Sequence, residues 1–166
     1  MFPLRKTFVA LDFETANSGR HTVCAVGAVA VERGKIVQEW DTLVRPPTED
    51  FSHSDIHGIT AEKVLYAPTF SEVWRTLRPL LREYGLVIAH NAAFEKSVLE
   101  TCRSYFNLRL PDLEWGCTLR LARAKLPYLT GHRLPTVCKH LRIPLGRHHD
   151  ALSDARACAQ VWLALV

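Results

Sequence analysis

The chain has 166 residues, of which 48% are hydrophobic and 23% are charged, and its formal net charge is +4. This composition is that of an ordinary globular protein, and we expect one domain spanning residues 1–166. No apolar run approaches the roughly 20 residues that a membrane-spanning helix needs, and residues 1–6 lack the pattern of a signal peptide. Five scattered cysteines without a Cys-x-x-Cys pair argue against disulfides and structural zinc. We therefore expect a cytoplasmic protein with reduced cysteines.

The first half of the chain predicts a meander of three strands. Residues 7–14 form a nearly continuous apolar run, as expected of a central, buried strand. Strands over 23–31 and 35–44 follow, separated by a Glu-Arg-Gly turn that is typical of a hairpin. The two prolines at 46–47 stop the third strand. The polar stretch 48–61 is expected to be a loop.

The second half predicts helices around one short strand, Leu86–Ala89. Thr69 and Glu72 match a capping box ahead of an apolar helical stripe. Pro79 interrupts that stripe and predicts a kink or an early end. Asn91 is expected to cap a helix that reaches about residue 105. Three more helices are expected, over 118–125, 134–141 and 150–166. A meander followed by helices and a strand predicts an α/β fold, with a mixed sheet flanked by helices.

Positive charge is concentrated between residues 101 and 150, where nine Lys and Arg stand against three Asp and Glu. A local surplus of this kind can attract a polyanion. It can equally belong to a solvated helical surface. Charge alone leaves both explanations open.

Acids and histidines form three short clusters that close or follow apolar runs. In the first cluster, Asp12 and Glu14 lie two apart on a predicted strand, so their side chains project from the same face. A strand end that reaches solvent is the ordinary alternative. In the second cluster, Glu95 falls in the first turn of the helix capped by Asn91, where acids also occur because of the helix dipole. His90 could equally be a core histidine.

The third cluster opens the last helix. His149 lies on the loop before that helix, Asp154 lies in its first turns, and Asp150 is most simply an N-cap. The remaining histidines at 21, 132, 140 and 148 are expected at the surface unless a nucleic acid crosses them. Acids at the ends of buried elements are costly unless a divalent metal neutralises them. Convergence of the three clusters would build a two-metal site for phosphodiester cleavage.

In order and spacing, the three clusters resemble the motifs of the DEDDh 3′–5′ exonucleases, the DnaQ-like group of proofreading subunits, RNase T and oligoribonuclease. The clusters read Asp12-x-Glu14, His90-Asn91-x-x-Phe94-Glu95 and His149-x-Ala151-x-x-Asp154. The resemblance covers about residues 7–166 and implies an RNase H-like fold. It also implies a metal-dependent enzyme that hydrolyses phosphodiester bonds at the 3′ ends of single-stranded DNA or RNA and releases 5′-mononucleotides.

The resemblance assigns a role to each motif residue. Asp12 would bridge two Mg²⁺ or Mn²⁺ ions, Glu14 and Asp154 would complete the first metal site, and Glu95 would contribute to the second. His149 would act as general base towards the attacking water. Residues that would hold the terminal nucleotide are Thr15, His57 and Asn91. The implied partner is a single-stranded 3′ end, and relatives include both polymerase-associated proteins and homodimers.

One position departs from the family pattern, because Glu95 stands where the family normally has aspartate. Glutamate keeps the charge but is one methylene longer, which changes the reach to a metal. The leading hypothesis is an active exonuclease. The alternatives are a catalytically weak nucleic-acid-binding or polymerase-associated module with a degraded second motif and, more remotely, a phosphohydrolase of small nucleotides. The choice between DNA and RNA depends on contacts to the 2′-OH that spacing does not reveal.

Overall fold

The computed structural model describes residues 6–166 and contains a sheet of five strands in the order β3-β2-β1-β4-β5. β1 pairs antiparallel with β2, and β2 antiparallel with β3. β4 lies parallel to β1 on its other side, and β5 lies parallel to β4. The strands are β1 Phe8–Thr15, β2 Val23–Glu32, β3 Lys35–Leu43, β4 Leu86–Ala89 and β5 Glu114–Cys117. The predicted mixed sheet that begins with an antiparallel meander is confirmed.

Helices cover both faces of this sheet. The helices are α1 Ser54–His57, α2 Ala61–Val64, α3 Phe70–Tyr84, α4 Ala92–Phe106, α5 Thr118–Lys125, α6 Leu134–Leu141 and α7 Ala151–Leu165. None of the described helices is both long and apolar enough to cross a membrane. The expectation about a signal peptide concerns residues 1–6, of which 1–5 lie outside the described part of the chain.

β1 is the central strand, and its two faces look into different cores. Val9 and Leu11 pack into the core that includes residues of α3 and α4. Phe8 and Ala10 pack into the second core, which includes residues of α7. Because side chains alternate along a strand, those of Asp12 and Glu14 project to the same face of β1 as Ala10, the face that packs on α7. The period of the strand therefore directs both acids towards the helix that carries the third acidic motif.

The N-terminus of α7 lies directly against the sheet at Gly27. A Cβ built on Gly27 would lie 2.3 Å from the carbonyl carbon and oxygen of Ala151, so only glycine permits this approach. Gly27 pairs across the ladder with Asp12. Ala151 thus meets β2, whereas Ala155 of the same helix packs with Phe8 and Ala10 of β1 in the second core.

Three local predictions differ from the structure. The segment 48–61 was expected to be a loop, but it contains α1 and the first residue of α2. Isolated helices of four residues are unstable, so packing rather than propensity forms them. β5 was not predicted, because it has four residues, one of them Gly116, and forms by pairing with β4.

The third difference concerns Pro79, for which a kink or an early end of α3 was predicted: the early end does not occur. The helix continues to Tyr84. Pro79 and Arg75, whose carbonyl loses its helical partner, both lie on the exposed side, where water can bond that carbonyl. Buried Leu77 and Leu81 hold the helix to the sheet on either side of the proline. The predicted capping box of Thr69 and Glu72 is present.

Candidate active site

Three acids from two elements converge at the end of β1. Asp12 and Glu14 come from the strand, and Asp154 comes from the first turn of α7. Their carboxylates offer oxygens that all lie within 4.8 Å of one another. Glu14 and Asp154 are only 8% and 4% exposed. Like charges held this close and away from water repel each other unless a cation or a proton lies between them.

The cost of this arrangement is visible in two pKa values. Burial raises the pKa of Asp12 well above its usual range, and the charges of Glu95, Glu14 and nearby acids add to the shift. Burial also raises the pKa of Glu14 to about 8, with further contributions from Asp154 and Asp150. Part of the cluster would therefore carry protons at neutral pH when no cation is bound.

Glu95 lies beside this cluster, in the first turn of α4. Its side chain is 2% exposed, and burial raises its pKa to about 8, against a smaller lowering by its own backbone amide. The buried oxygens Asp12 Oδ2 and Glu95 Oε2 have no hydrogen-bond partner among the described residues. Glu95 is near enough to raise the pKa of Asp12, although it is outside the trio that meets within 4.8 Å.

The donor set fits a hard divalent cation. Carboxylate oxygens are the ligands that Mg²⁺ and Mn²⁺ prefer. The buried oxygens Asp12 Oδ2 and Glu95 Oε2 accept no hydrogen bond from the described residues, so they are available as metal ligands. The acids of the first and third motifs, with Glu95 next to them, could therefore hold such ions.

His149 lies on the short loop before α7, next to the acids. Its backbone is left-handed, with φ 64°, and its amide donates to Asp154 Oδ2 at 3.0 Å. Its ring Nδ1 lies 4.0 Å from Glu14 Oε1, and its side chain is 42% exposed. Burial lowers its pKa, with a further lowering by the neighbouring His148. The ring is thus neutral at pH 7 and can accept a proton.

His148, which was expected at the surface, lies inside the site. Its Nδ1 is 3.0 Å from Asp154 Oδ2, and its ring lies 3.8 Å from that of His149, centroid to centroid. The sequence signal was the doubled histidine immediately before the third motif. That signal does not show which of the two rings reaches the acid.

The three residues predicted to hold a nucleotide line the same cleft, but in different states. Asn91 is exposed and left-handed, with φ 73°, and begins α4 without a side-chain capping bond. His57 is buried, and both ring nitrogens are already used: Nε2 donates to the carbonyl of Thr15 at 3.0 Å, and Nδ1 accepts from the amide of Ile59 at 3.0 Å. The nucleotide-binding roles stay a prediction.

His90 is a structural histidine, one of the two alternatives that the sequence left open. Burial lowers its pKa to about 4, so the ring is neutral. Its Nε2 donates to the carbonyl of His132 at 3.0 Å, and its Nδ1 accepts from the hydroxyl of Thr118 at 2.9 Å. Both nitrogens of His90 are therefore satisfied within the protein.

All of these groups border one cleft of about 980 Å³. Its lining includes the acids and His149. It also includes residues of α5, the start of α6 and the loop between them, among them Arg123, His132 and Arg133. A cleft that is lined by both carboxylates and cations suits a polyanion that approaches a metal site.

The family model of the RNase T exonucleases matches residues 9–162. The chain belongs to this exonuclease family. Exonucleases of this family generally use divalent metals. The resemblance to the DEDDh group is confirmed.

Curated relatives include PolC-type DNA polymerases III. The protein from Thermotoga maritima is 35% identical over 167 residues and that from Oceanobacillus iheyensis 32% over 163 residues, each alignment covering 96% of this chain. The chain spans only 12% and 11% of those two polymerases.

Solved structures show the same fold. Exonuclease X in complex with 5′ overhanging duplex DNA is 27% identical, with a TM-score of 0.77 and 95% and 90% of the two chains covered. The nuclease domain of 3′hExo bound to rAMP, a DEDDh member, has a TM-score of 0.81 at 18% identity, with 96% and 90% covered. These likenesses confirm the RNase H-like architecture.

Proposed function

We propose that this exonuclease hydrolyses the phosphodiester bond at the 3′ end of single-stranded DNA or RNA and releases 5′-mononucleotides. The observation that carries the proposal is the meeting of Asp12, Glu14 and Asp154 within 4.8 Å, beside His149, in a cleft whose lining also carries exposed arginines. A small-nucleotide phosphohydrolase would not need those cations. The RNase T family match supports cleavage of a polymer.

Two divalent cations, Mg²⁺ or Mn²⁺, are proposed for this site. Asp12, Glu14 and Asp154 would hold one, and Asp12 with Glu95 would hold the other. When bound, the ions would supply charge neutralisation at the scissile phosphate and its leaving 3′ oxygen. The unpartnered oxygens on Asp12 and Glu95 support this assignment, because they leave binding capacity directed into the site.

His149 is proposed as the general base. Its neutral ring would take the proton of the attacking water, and general bases contribute roughly 10²- to 10⁴-fold to a rate. Asp154 fixes the loop by accepting the His149 amide, so one acid positions both the base and a cation. The left-handed backbone at His149 projects the ring away from α7 towards Glu14.

Thr15, His57 and Asn91 are proposed to surround the terminal nucleotide. Asn91 is exposed at the cleft and keeps its amide group available. His57 would act by fixing the end of β1 through the carbonyl of Thr15, rather than through a free ring nitrogen. The nucleotide would then rest against a surface whose polar groups are already oriented.

The PolC-type relatives support a biological role in proofreading. We propose that the domain, residues 1–166, trims 3′ ends of DNA in association with a polymerase. A cytoplasmic location is proposed with it, and the free thiols of Cys24, Cys102, Cys117, Cys138 and Cys158 suit a reducing compartment.

Digestion of 5′-labelled single-stranded DNA and RNA, with Mg²⁺ or Mn²⁺ and beside Asp12→Ala, tests the proposal. A ladder shortened from the 3′ end, dependent on metal and absent from the variant, is the expected result. The two ladders rank DNA against RNA. If the folded wild-type protein shortens neither strand, the nucleic-acid-binding module with a degraded second motif replaces the exonuclease.

A further inference from the structure

The segment from Thr118 to Arg142, which forms α5, α6 and their connection, carries positive charge without any acid. It contains six Lys and Arg and no Asp or Glu. These cations are Arg120, Arg123, Lys125, Arg133, Lys139 and Arg142. Outside this segment, Arg156 pairs with Glu39 at 2.6 Å and Arg103 pairs with Glu100 at 2.8 Å. The segment is called the basic hairpin below.

Two of these cations face the catalytic cleft. Arg123 on α5 and Arg133 at the start of α6 both line it, and both are exposed. Neither guanidinium has an ion-pair partner among residues 6–166. Their charge is therefore available to a ligand that enters the cleft.

The basic hairpin is fixed to the sheet at the catalytic end. His90, directly after β4, bonds Thr118 at the start of α5 and the carbonyl of His132 in the connection. His132 in turn uses its Nε2 to bond the carbonyl of Leu126 at 2.9 Å, which closes the connection on itself. These bonds hold Arg123 and Arg133 at a set position relative to β4 and the acids, so His90 is a positioning residue for the basic hairpin.

We propose that the basic hairpin binds the phosphodiesters upstream of the scissile bond, with Arg123 and Arg133 each contacting a backbone phosphate. This inference rests on the proposed function and deepens it. The acids repel a polyanion, so the cationic part of the cleft lining must hold the strand. The cleft has a volume of about 980 Å³, at the upper end of the range of about 300–1,000 Å³ for small-ligand pockets.

Binding without cleavage gives the direct test. The anisotropy of a fluorescein-labelled oligo(dT) of about 12 nucleotides is measured in EDTA over a range of salt, for wild type and for the double variant Arg123→Gln/Arg133→Gln. We expect the Kd of the double variant to rise by roughly tenfold or more. The slope of log K against log salt should become shallower by about 1.4, since each single-strand phosphate contact contributes about 0.7.

The matched control is Arg82→Gln, which removes one exposed cation from α3 away from the cleft and should leave Kd and slope unchanged. With metal, the gain in kcat/KM as the substrate lengthens from two to four nucleotides should shrink in the double variant. His90→Phe should reduce the same gain, because it removes the hydrogen bond that ties the connection at His132 to the end of β4.

Wild-type Kd and salt slope in the folded double variant would overturn the proposal, as would equal losses in Arg82→Gln. A wild-type protein that binds oligo(dT) through the hairpin but never shortens it would refute only the proposed exonuclease activity. Thermal melting of each variant shows that it is folded before binding is compared.

Discussion

At the scale of single residues, the site is built from carboxylates held where carboxylates are costly. Asp12 Oδ2 and Glu95 Oε2 are buried without partners among the described residues, and Glu14 is buried near Asp154. Like charges brought together in a buried site destabilise the folded chain, so this cluster does not serve stability. Substitutions at Asp12, Glu95 and His149 therefore separate the contributions of these groups to metal binding, proton transfer and stability.

Replacement of Asp12 by Asn should abolish exonuclease activity and stabilise the metal-free protein. Activity should fall by at least about 10³-fold, because several kcal/mol of charge stabilisation depend on the cations. The Tm in EDTA at pH 7 should rise, because burial and the charges of Glu95, Glu14 and Asp154 raise the pKa of Asp12, and Asn is buried without taking up a proton. A metal-free Tm below that of wild type would contradict this account of the cluster.

Glu95 is tested by a pair of changes. Glu95→Ala should reduce metal-dependent activity strongly, since it removes an acid adjacent to Asp12. Glu95→Asp keeps the charge on a shorter side chain. This variant should retain most of the metal-dependent activity, with a changed ratio of the rate with Mn²⁺ to the rate with Mg²⁺. Steady-state rates with each metal give the answer. Full activity in both variants would show that Glu95 is no ligand.

His149→Gln should lower kcat by roughly 10²- to 10⁴-fold while leaving metal-induced stabilisation in place. The pKa of His149 is lowered by burial, so the wild-type rate should stay level near pH 7 and fall only below the usual histidine value of about 6.5. The pH profile of kcat/KM should lose this acid limb in the variant. An acid limb that persists in His149→Gln would assign the proton transfer to another group.

At the scale of elements, the site depends on how closely α7 approaches the sheet. The helix brings Asp154 and the His149 loop to the acids of β1, and it does so by resting its first residue on Gly27 of β2. Gly116 of β5 makes a second close approach, since a Cβ there would lie 2.3 Å from Ile88 Cδ1 and 2.7 Å from the Trp162 ring. Two glycines on different strands thus set the depth at which α7 packs.

Gly27→Ala should destabilise the protein and reduce its activity together. The new methyl would meet backbone atoms of Ala151, which cannot rotate away, and overpacking of this kind costs about 1–3 kcal/mol. Urea unfolding and kcat measure the two effects. Gly131→Ala is the control for stability, because nothing lies within 4 Å of a Cβ there. Equal unfolding midpoints for the two variants would contradict a close α7–β2 contact.

At the scale of the whole molecule, the acidic cluster couples folding to pH and to metal. The pKa values of Glu14 and Glu95 are raised from the usual 4.5 to about 8 by burial, so the folded chain holds protons that the unfolded chain has lost. Stability must then decline as pH rises through that window. A cation bound to the acids replaces those protons and opposes the decline.

In EDTA, the free energy of unfolding should accordingly fall by an amount on the order of a few kcal/mol between pH 5 and pH 8. The Tm should fall with it. Added Mg²⁺ or Mn²⁺ should raise the Tm more at pH 8 than at pH 5. Thermal melts in the four conditions test this, and Glu95→Gln should flatten the decline. A Tm in EDTA that is constant or rises over this range would contradict the raised pKa values.

The sequence by itself determined most of the fold and pointed to the acids that the structure brings together. The apolar run of β1 fixed a central strand, its period placed Asp12 and Glu14 on one face, and Asp150 caps α7 through the amide of Ser153 as expected. These features are local, because they follow from alternation along a strand and from hydrogen bonds a few residues apart.

Only the tertiary structure decided which of the candidate groups meet. It formed β5 by pairing with β4, assigned His90 to the anchoring of α5, and brought His148 onto Asp154. It also left Glu95 beside the three converging acids rather than among them. Such outcomes depend on contacts between distant segments, set here by the fit of α7 against Gly27, and no local pattern in the chain encodes that distance.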